Sequence, residues 1–231
     1  EFRRVLFRSM PGFYQKGEYD VSGTIVGVVD RHRMLDGRKL VRRGDAVIGI
    51  GSSGLHTNGY SLARQILFEK LKLKPSSRVA GLKGTLGDEL LKVHVTYGPL
   101  VQALLKKFNA PGRRAGLHGL AHITGGGFVD NIPRVLPGKL DVVIRKGSWD
   151  VLPLFQLLAA KGGVDEAELY QVFNMGIGMT ALVAAEDADA MLRAIRKAGH
   201  PAWIIGEVVP GRGQARVQDR KSTRLNSSHR T

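Results

Sequence analysis

The sequence predicts an α+β fold in which helices pack on one side of a mixed sheet. Three features lead there. Strand-like and helix-like stretches follow one another in mixed order, with few clean βαβ units. Residues 186–198 repeat their apolar positions at helical spacing, the cleanest amphipathic pattern in the chain. Glycine-rich turns sit between a strand and a helix at two places, residues 51–61 and 122–131.

Taken in order, residues 21–29 (VSGTIVGVV) are β-branched and bounded by Asp20 and Asp30, which predicts a strand. LDGRKLVRRGD then reads as a turn-rich connector, and residues 46–50 as a short buried strand. From Tyr60 onward, Leu62, Ile66, Leu67 and Leu71 recur at helical spacing. Helices are expected at 88–95 and 99–108, the second with Pro99 in its first turn, where a missing N–H costs nothing. Residues 115–123 form a strand ending in TGGG, and a helix follows at 128–135. A strand at 140–144, helices at 151–160 and 166–173, and strands at 178–184 and 202–208 complete the set. No internal repeat is present. Both ends, residues 1–9 and 218–231, are polar and arginine-rich without hydrophobic period and read as extensions foreign to the fold.

Composition narrows the function classes. The chain has 231 residues, 43% hydrophobic and 24% charged, the profile of a soluble globular protein. No apolar run approaches the roughly 20 residues that span a bilayer, and no secretory leader is visible. With no cysteine, disulfides and thiolate metal sites are excluded, which suits a cytoplasmic protein. The net charge of +15 raises the question of nucleic acid. Part of that charge sits on the two ends, however, and the remaining basic residues are scattered without interleaved aromatics. Nucleic-acid binding is therefore not expected, and the charge reads as a solvated surface that helps attract anionic substrates.

Three stretches carry candidate chemistry. In GSSGLHTNGYS, residues 51–61, small residues let the backbone approach a ligand, and free N–H groups before a helix favour an anion. Ser52, Ser53, Thr57 and Asn58 add hydroxyl and amide groups, and His56 adds a donor or acceptor near neutral pH. The plainer alternative is a strand-to-helix turn whose Ser and Asn only cap the helix. The loop lacks the GxxxxGK[ST] pattern and is not a Walker phosphate loop. In HITGGGFVDN, residues 122–131, the consecutive Gly125, Gly126 and Gly127 cost backbone entropy, so either a ligand or tight packing requires them. Asp130 and Asn131 fit ordinary capping there. In FNMGIGM, residues 173–179, Asn174 is a candidate to face a ligand, while Met175 and Met179 read as core. His118 and His122 share a strand face, but no carboxylate or cysteine accompanies them, so no metal site is expected.

Together these stretches resemble the phosphoribosylformylglycinamidine cyclo-ligase, or AIR synthetase, family. The matching text runs from Met10 to about Val217: MPGFYQKGEYDVSGTIVGVVDR, GDAVIGIGSSGLHTNGYSLAR, HGLAHITGGGFVDNIPRVLP, ELYQVFNMGIGM and AWIIGEV. Thiamine-monophosphate kinase, selenophosphate synthetase and the hydrogenase-maturation dehydratase share the architecture but not these words. The resemblance implies a homodimeric two-domain enzyme whose N-terminal domains pair into a barrel-like sheet. It assigns residues 10–43 to a remnant of the N-terminal ATP-binding domain and connector, and residues 44–217 to the C-terminal AIR synthetase domain. The implied reaction is ATP-dependent ring closure of formylglycinamidine ribonucleotide to aminoimidazole ribonucleotide, supported by Mg²⁺.

Substrate and phosphate contacts are then expected from Ser52, Ser53, His56, Asn58, Gly125, Gly126, Gly127 and Asn174, with Tyr14 and Asp20 as survivors of the ATP-domain site. The family's N-terminal domain begins well before MPG and carries the lysine and acidic residues associated with ATP and Mg²⁺. Where the family has a GGETAE-like run, this chain has EFRRVLFRS. The chain is accordingly expected not to turn over by itself. The rival reading is a non-enzymatic binding module, either an inert ligand-binding fragment or a basic nucleic-acid binder.

Overall fold

The apolar run Ala46–Gly51 forms strand β1 near the middle of a single six-stranded sheet. Around it lie β2 (Leu117–His122), β3 (Leu140–Arg145), β4 (Ile177–Val183), β5 (Ala202–Pro210) and β6 (Ala215–Gln218), in the order β2-β4-β1-β5-β3-β6. Every neighbouring pair is antiparallel except β3 and β6, which makes the sheet mixed, as expected. These elements belong to a computed structural model that describes residues 22–219. The expectations for Tyr14 and Asp20, for residues 1–9 and for residues 220–231 lie outside the described residues.

Side chains alternate across a strand, so successive residues of β1 serve opposite faces. Val47 joins one hydrophobic cluster with Leu182 and Ile205, whereas Ile48 and Ile50 join another with Ala181 and Val183. Both faces are covered. Against the Ile48 face pack α4 (Gly98–Phe108), through Leu100, Leu104 and Phe108, and α8 (Ala188–Lys197), through Met191 and Ile195. Against the Val47 face pack α5 (Gly127–Asn131), α6 (Pro153–Gly162) and α7 (Glu166–Val172), through Phe128, Leu154, Phe155 and Leu169. The one-sided arrangement expected from the sequence is thus corrected to helices on both faces. The reason is that the central strands are apolar at nearly every position, and two buried faces each require a cover.

The remaining helices are short. Val41 and the connector before β1 are tied down by α1 (Gly37–Leu40), a helix in a stretch that reads as turns. Gly37 fits there because a Cβ would meet the Val135 carbonyl oxygen at 2.5 Å. The helix beginning at Tyr60 is α2 (Tyr60–Arg64), which widens into a π-helical turn over Gln65–Lys70. Residues 88–95 were expected to be helical, but α3 (Leu86–Leu90) stops earlier, after a Thr85–Asp88 capping box.

Two boundaries also move. Residues 22–29 form no strand and lie exposed. A strand needs a partner for its N–H and C=O groups, and no described strand pairs with this run. The chain divides into two units between Met34 and Leu35. At the other end, β6 carries the sheet through Gln218 by parallel pairing with β3.

Candidate functional site

The strand order β2-β4-β1, with antiparallel neighbours, brings three loops to one end of the sheet. They leave the C-terminal ends of β1 and β2 and enter the N-terminal end of β4. These are the three motifs singled out in the sequence, and side chains tie them together. Asn58 Nδ2 donates to Thr124 Oγ1 at 2.5 Å, linking the first loop to the glycine loop. Ser52 Oγ donates to Asn174 Oδ1 at 3.0 Å, linking the first loop to the third.

Asn174 acts from inside the assembly. It is buried, and its Oδ1 also accepts from Gly176 N–H, while Nδ2 donates to the carbonyls of Gly54 and Leu55. That amide is fully engaged, so Asn174 braces two loops. Ser53 Oγ donates to the Val93 carbonyl. The glycines allow close approach between elements. Gly59 has a φ of 82°, and a Cβ there would sit 2.5 Å from the Phe173 ring. A Cβ on Gly127 would lie 1.9 Å from the Tyr170 carbonyl oxygen. Gly125 is exposed, and a Cβ there would meet only the Asn58 side chain, its Oδ1 at 3.2 Å. Asn131 holds the glycine loop from behind, donating through Nδ2 to the carbonyls of Gly125 and Gly127. Among the described residues, the backbone N–H groups of residues 55–57, Gly125 and Gly126 donate to no protein acceptor. The loop cluster thus presents unspent backbone donors beside the half-buried side chains of Ser53 and Asn58.

His56 sits at the floor of this cluster. Its backbone takes a φ of 59°, an uncommon left-handed conformation for a non-glycine residue. The ring is buried and stacks on His94 with centroids 3.9 Å apart. Its Nε2 accepts from Ser53 N–H at 3.2 Å and Val95 N–H at 3.5 Å, so Nδ1 carries the proton, and that atom is buried without a partner among the described residues. Burial, then the neighbouring His94 and His122, push the His56 pKa down to about 4. Burial and His94 lower His122 as well. Both rings are neutral at physiological pH. Tyr97 closes the far side, donating to the Gly51 carbonyl at 2.8 Å.

His118 and His122, four residues apart on β2, part company. His118 is buried against Asp45, with Nδ1 and Oδ2 2.6 Å apart, while His122 joins His56 and His94. His94 carried no signal in the sequence. It lies in residues 91–96, beyond the end of α3, and only the strand order brings it over β2.

The family model described as "AIR synthase related protein, C-terminal domain" matches residues 42–218. The chain belongs to the AIR synthase-related family. A phosphoribosylformylglycinamidine cyclo-ligase from Geobacillus thermodenitrificans is 46% identical over 204 residues, covering 88% of this chain and 57% of the relative. Another from Acetivibrio thermocellus is 47% identical over 200 residues, covering 87% and 56%. The chain therefore spans a little over half the length of these AIR synthase relatives. Thiamine-monophosphate kinase from Stenotrophomonas maltophilia superposes with a TM-score of 0.53 at 15% identity, covering 82% of this chain and 54% of that one, and shares the fold. No described helix is long and apolar enough to cross a membrane.

Proposed function

We propose that this chain carries the substrate-side domain of an ATP-dependent phosphoribosylformylglycinamidine cyclo-ligase, acting in purine biosynthesis. In that reaction ATP phosphorylates the formyl oxygen of formylglycinamidine ribonucleotide. The amidine nitrogen then attacks the same carbon, phosphate leaves, and the imidazole ring closes. The carrying observation is the group of unspent backbone donors where the first loop meets the glycine loop, joined by the Asn58–Thr124 hydrogen bond. Unpaired backbone N–H groups of neighbouring loops can bind a phosphate without needing a charged side chain. Ser53, Asn58, Gly125 and Gly126 would hold the ribose phosphate or the amide of the substrate, while Gly127, whose N–H is spent on the Thr124 carbonyl, would shape the loop. Asn174 would act through the loops it braces. Holding a flexible substrate coiled for intramolecular attack is itself a large part of such catalysis.

Mg²⁺ does not fit the donors here. It requires several oxygen ligands in near-octahedral array, and beside imidazoles, amides, hydroxyls and backbone N–H groups this cluster offers one carboxylate, Asp130, against Gly126. ATP, its metal and a second subunit would therefore be met by other parts of the whole enzyme. Basic residues give little support to nucleic-acid binding, since Arg113 and Arg114 pair with Asp187 and Glu186, and Arg145 pairs with Glu207.

The test is a coupled assay of ADP release dependent on formylglycinamidine ribonucleotide. In a full-length relative, the equivalents of Asn58→Ala and Ser53→Ala should lower kcat/KM at least tenfold, about 1.4 kcal/mol. This chain alone should release no ADP above background. Unchanged kcat/KM in both variants would reduce the loops to scaffolding.

A further inference from the structure

We propose that His56, His94 and His122 form a binding site for a divalent first-row transition ion of the zinc class, beside the glycine loops. The three rings come from three separated segments, and their ligand nitrogens all lie within 4.8 Å of one another. Zinc binds imidazole nitrogen at about 2.0–2.1 Å, so tetrahedral ligands stand about 3.4 Å apart. The nitrogens must therefore close by roughly 1.4 Å. The outer two residues can supply that movement. His122 is exposed and His94 half-buried, so both rings can turn, His94 by leaving its stack on the His56 ring so that both nitrogens face one point.

His56 is the fixed ligand. It is held by its left-handed backbone and packed beside Gly178, where a Cβ would come within 2.6 Å of the ring. The buried Nδ1, with no partner among the described residues, is the independent sign that a ligand belongs there, because buried polar atoms are rarely left unsatisfied. Loading an ion requires the proton to leave His56 or move within its ring, at the cost of the two long contacts to Ser53 and Val95. Three metal–nitrogen bonds outweigh them.

The donor set also fixes the class of ion. Neutral imidazoles suit zinc, copper and nickel, while magnesium and calcium demand oxygen. Three protein ligands leave a fourth position for water or an anionic ligand. The proposal stands apart from the cyclo-ligase reading, since it needs only the histidines, and its readout is binding rather than turnover.

The whole chain, freed of metal by chelator, is titrated with Zn²⁺ by calorimetry near pH 7.5. One saturable site per chain is expected. His94→Ala and His122→Ala should each weaken it at least tenfold while the apo chain still melts cooperatively, with the smaller change of melting temperature in His122→Ala, whose ring is exposed. His32→Ala and His229→Ala should leave it intact, excluding scattered histidines. Electron paramagnetic resonance of the Cu²⁺-loaded chain should show coupling to three nitrogens, falling to two in His122→Ala. Absence of a saturable site, or an affinity unmoved by both His94→Ala and His122→Ala, overturns the proposal.

Discussion

Gly127 combines a φ of 57° with a position where any Cβ would collide with the Tyr170 carbonyl. An alanine there meets both a left-handed backbone and overpacking, which together cost about 2–5 kcal/mol. Gly125, two residues earlier and exposed, has no positive φ, and a Cβ there would press only on the Asn58 side chain, at 3.2 Å. Thermal melts should show Gly127→Ala strongly destabilised and Gly125→Ala within about 0.5 kcal/mol of the parent. Equal melting temperatures for the two would show that close packing is not what the third glycine serves.

His56 adds a pH dependence. Unfolded, its pKa is about 6.5; folded, burial and two neighbouring imidazoles hold it at about 4. Between these values the unfolded chain takes up a proton that the folded chain refuses, so stability present above pH 6.5 drains as pH falls towards 4. Urea midpoints measured with chelator present should drop across that window. The drop should shrink in His56→Asn, a residue that tolerates a left-handed backbone. An identical pH profile in the variant would remove His56 from the account.

At the level of elements, residues 22–29 show what a strand-like sequence does without a neighbour. Ile25 is 97% exposed and Val28 101%, with Val26 and Val29 also open. Exposed apolar runs of this kind promote association. Sedimentation at tens of micromolar should show self-association that weakens in the double variant Ile25→Lys, Val28→Lys. A clean monomer for the parent chain would contradict this.

The same stretch marks where sequence reading stops. Alternation and β-branching report what a segment prefers, and pairing depends on partners that the local text does not contain. Strands β1 to β5 were legible because each is an apolar run between turn residues. The four-residue β6 was missed because ARVQ has too little apolar character to stand out, and its pairing with β3 is a tertiary fact. Likewise, α8 was legible from its amphipathic period, whereas α1, with four residues in a Gly- and Asp-bearing connector, was not. In the site, the glycines and Asn58 were visible as loop chemistry. The bracing role of Asn174 and the arrival of His94 were not, since both follow from strand order.

Across the whole molecule, a sheet covered on both faces leaves its ends to the loops, and one end is the proposed binding surface. Three loops from β1, β2 and β4 converge there, and the covering helices leave that end open enough for Ser53, Asn58 and Gly125 to reach solvent. The formal net charge of +15 favours approach of an anionic nucleotide without determining where it binds. The central claim is that the joined loops bind the phosphate-bearing substrate. Calorimetric titration of this chain with formylglycinamidine ribonucleotide tests it most directly. The account predicts saturable binding, weakened at least tenfold in Asn58→Ala while the melting temperature stays within a few degrees. Binding of equal strength in parent and variant, or none in the folded parent, would contradict it.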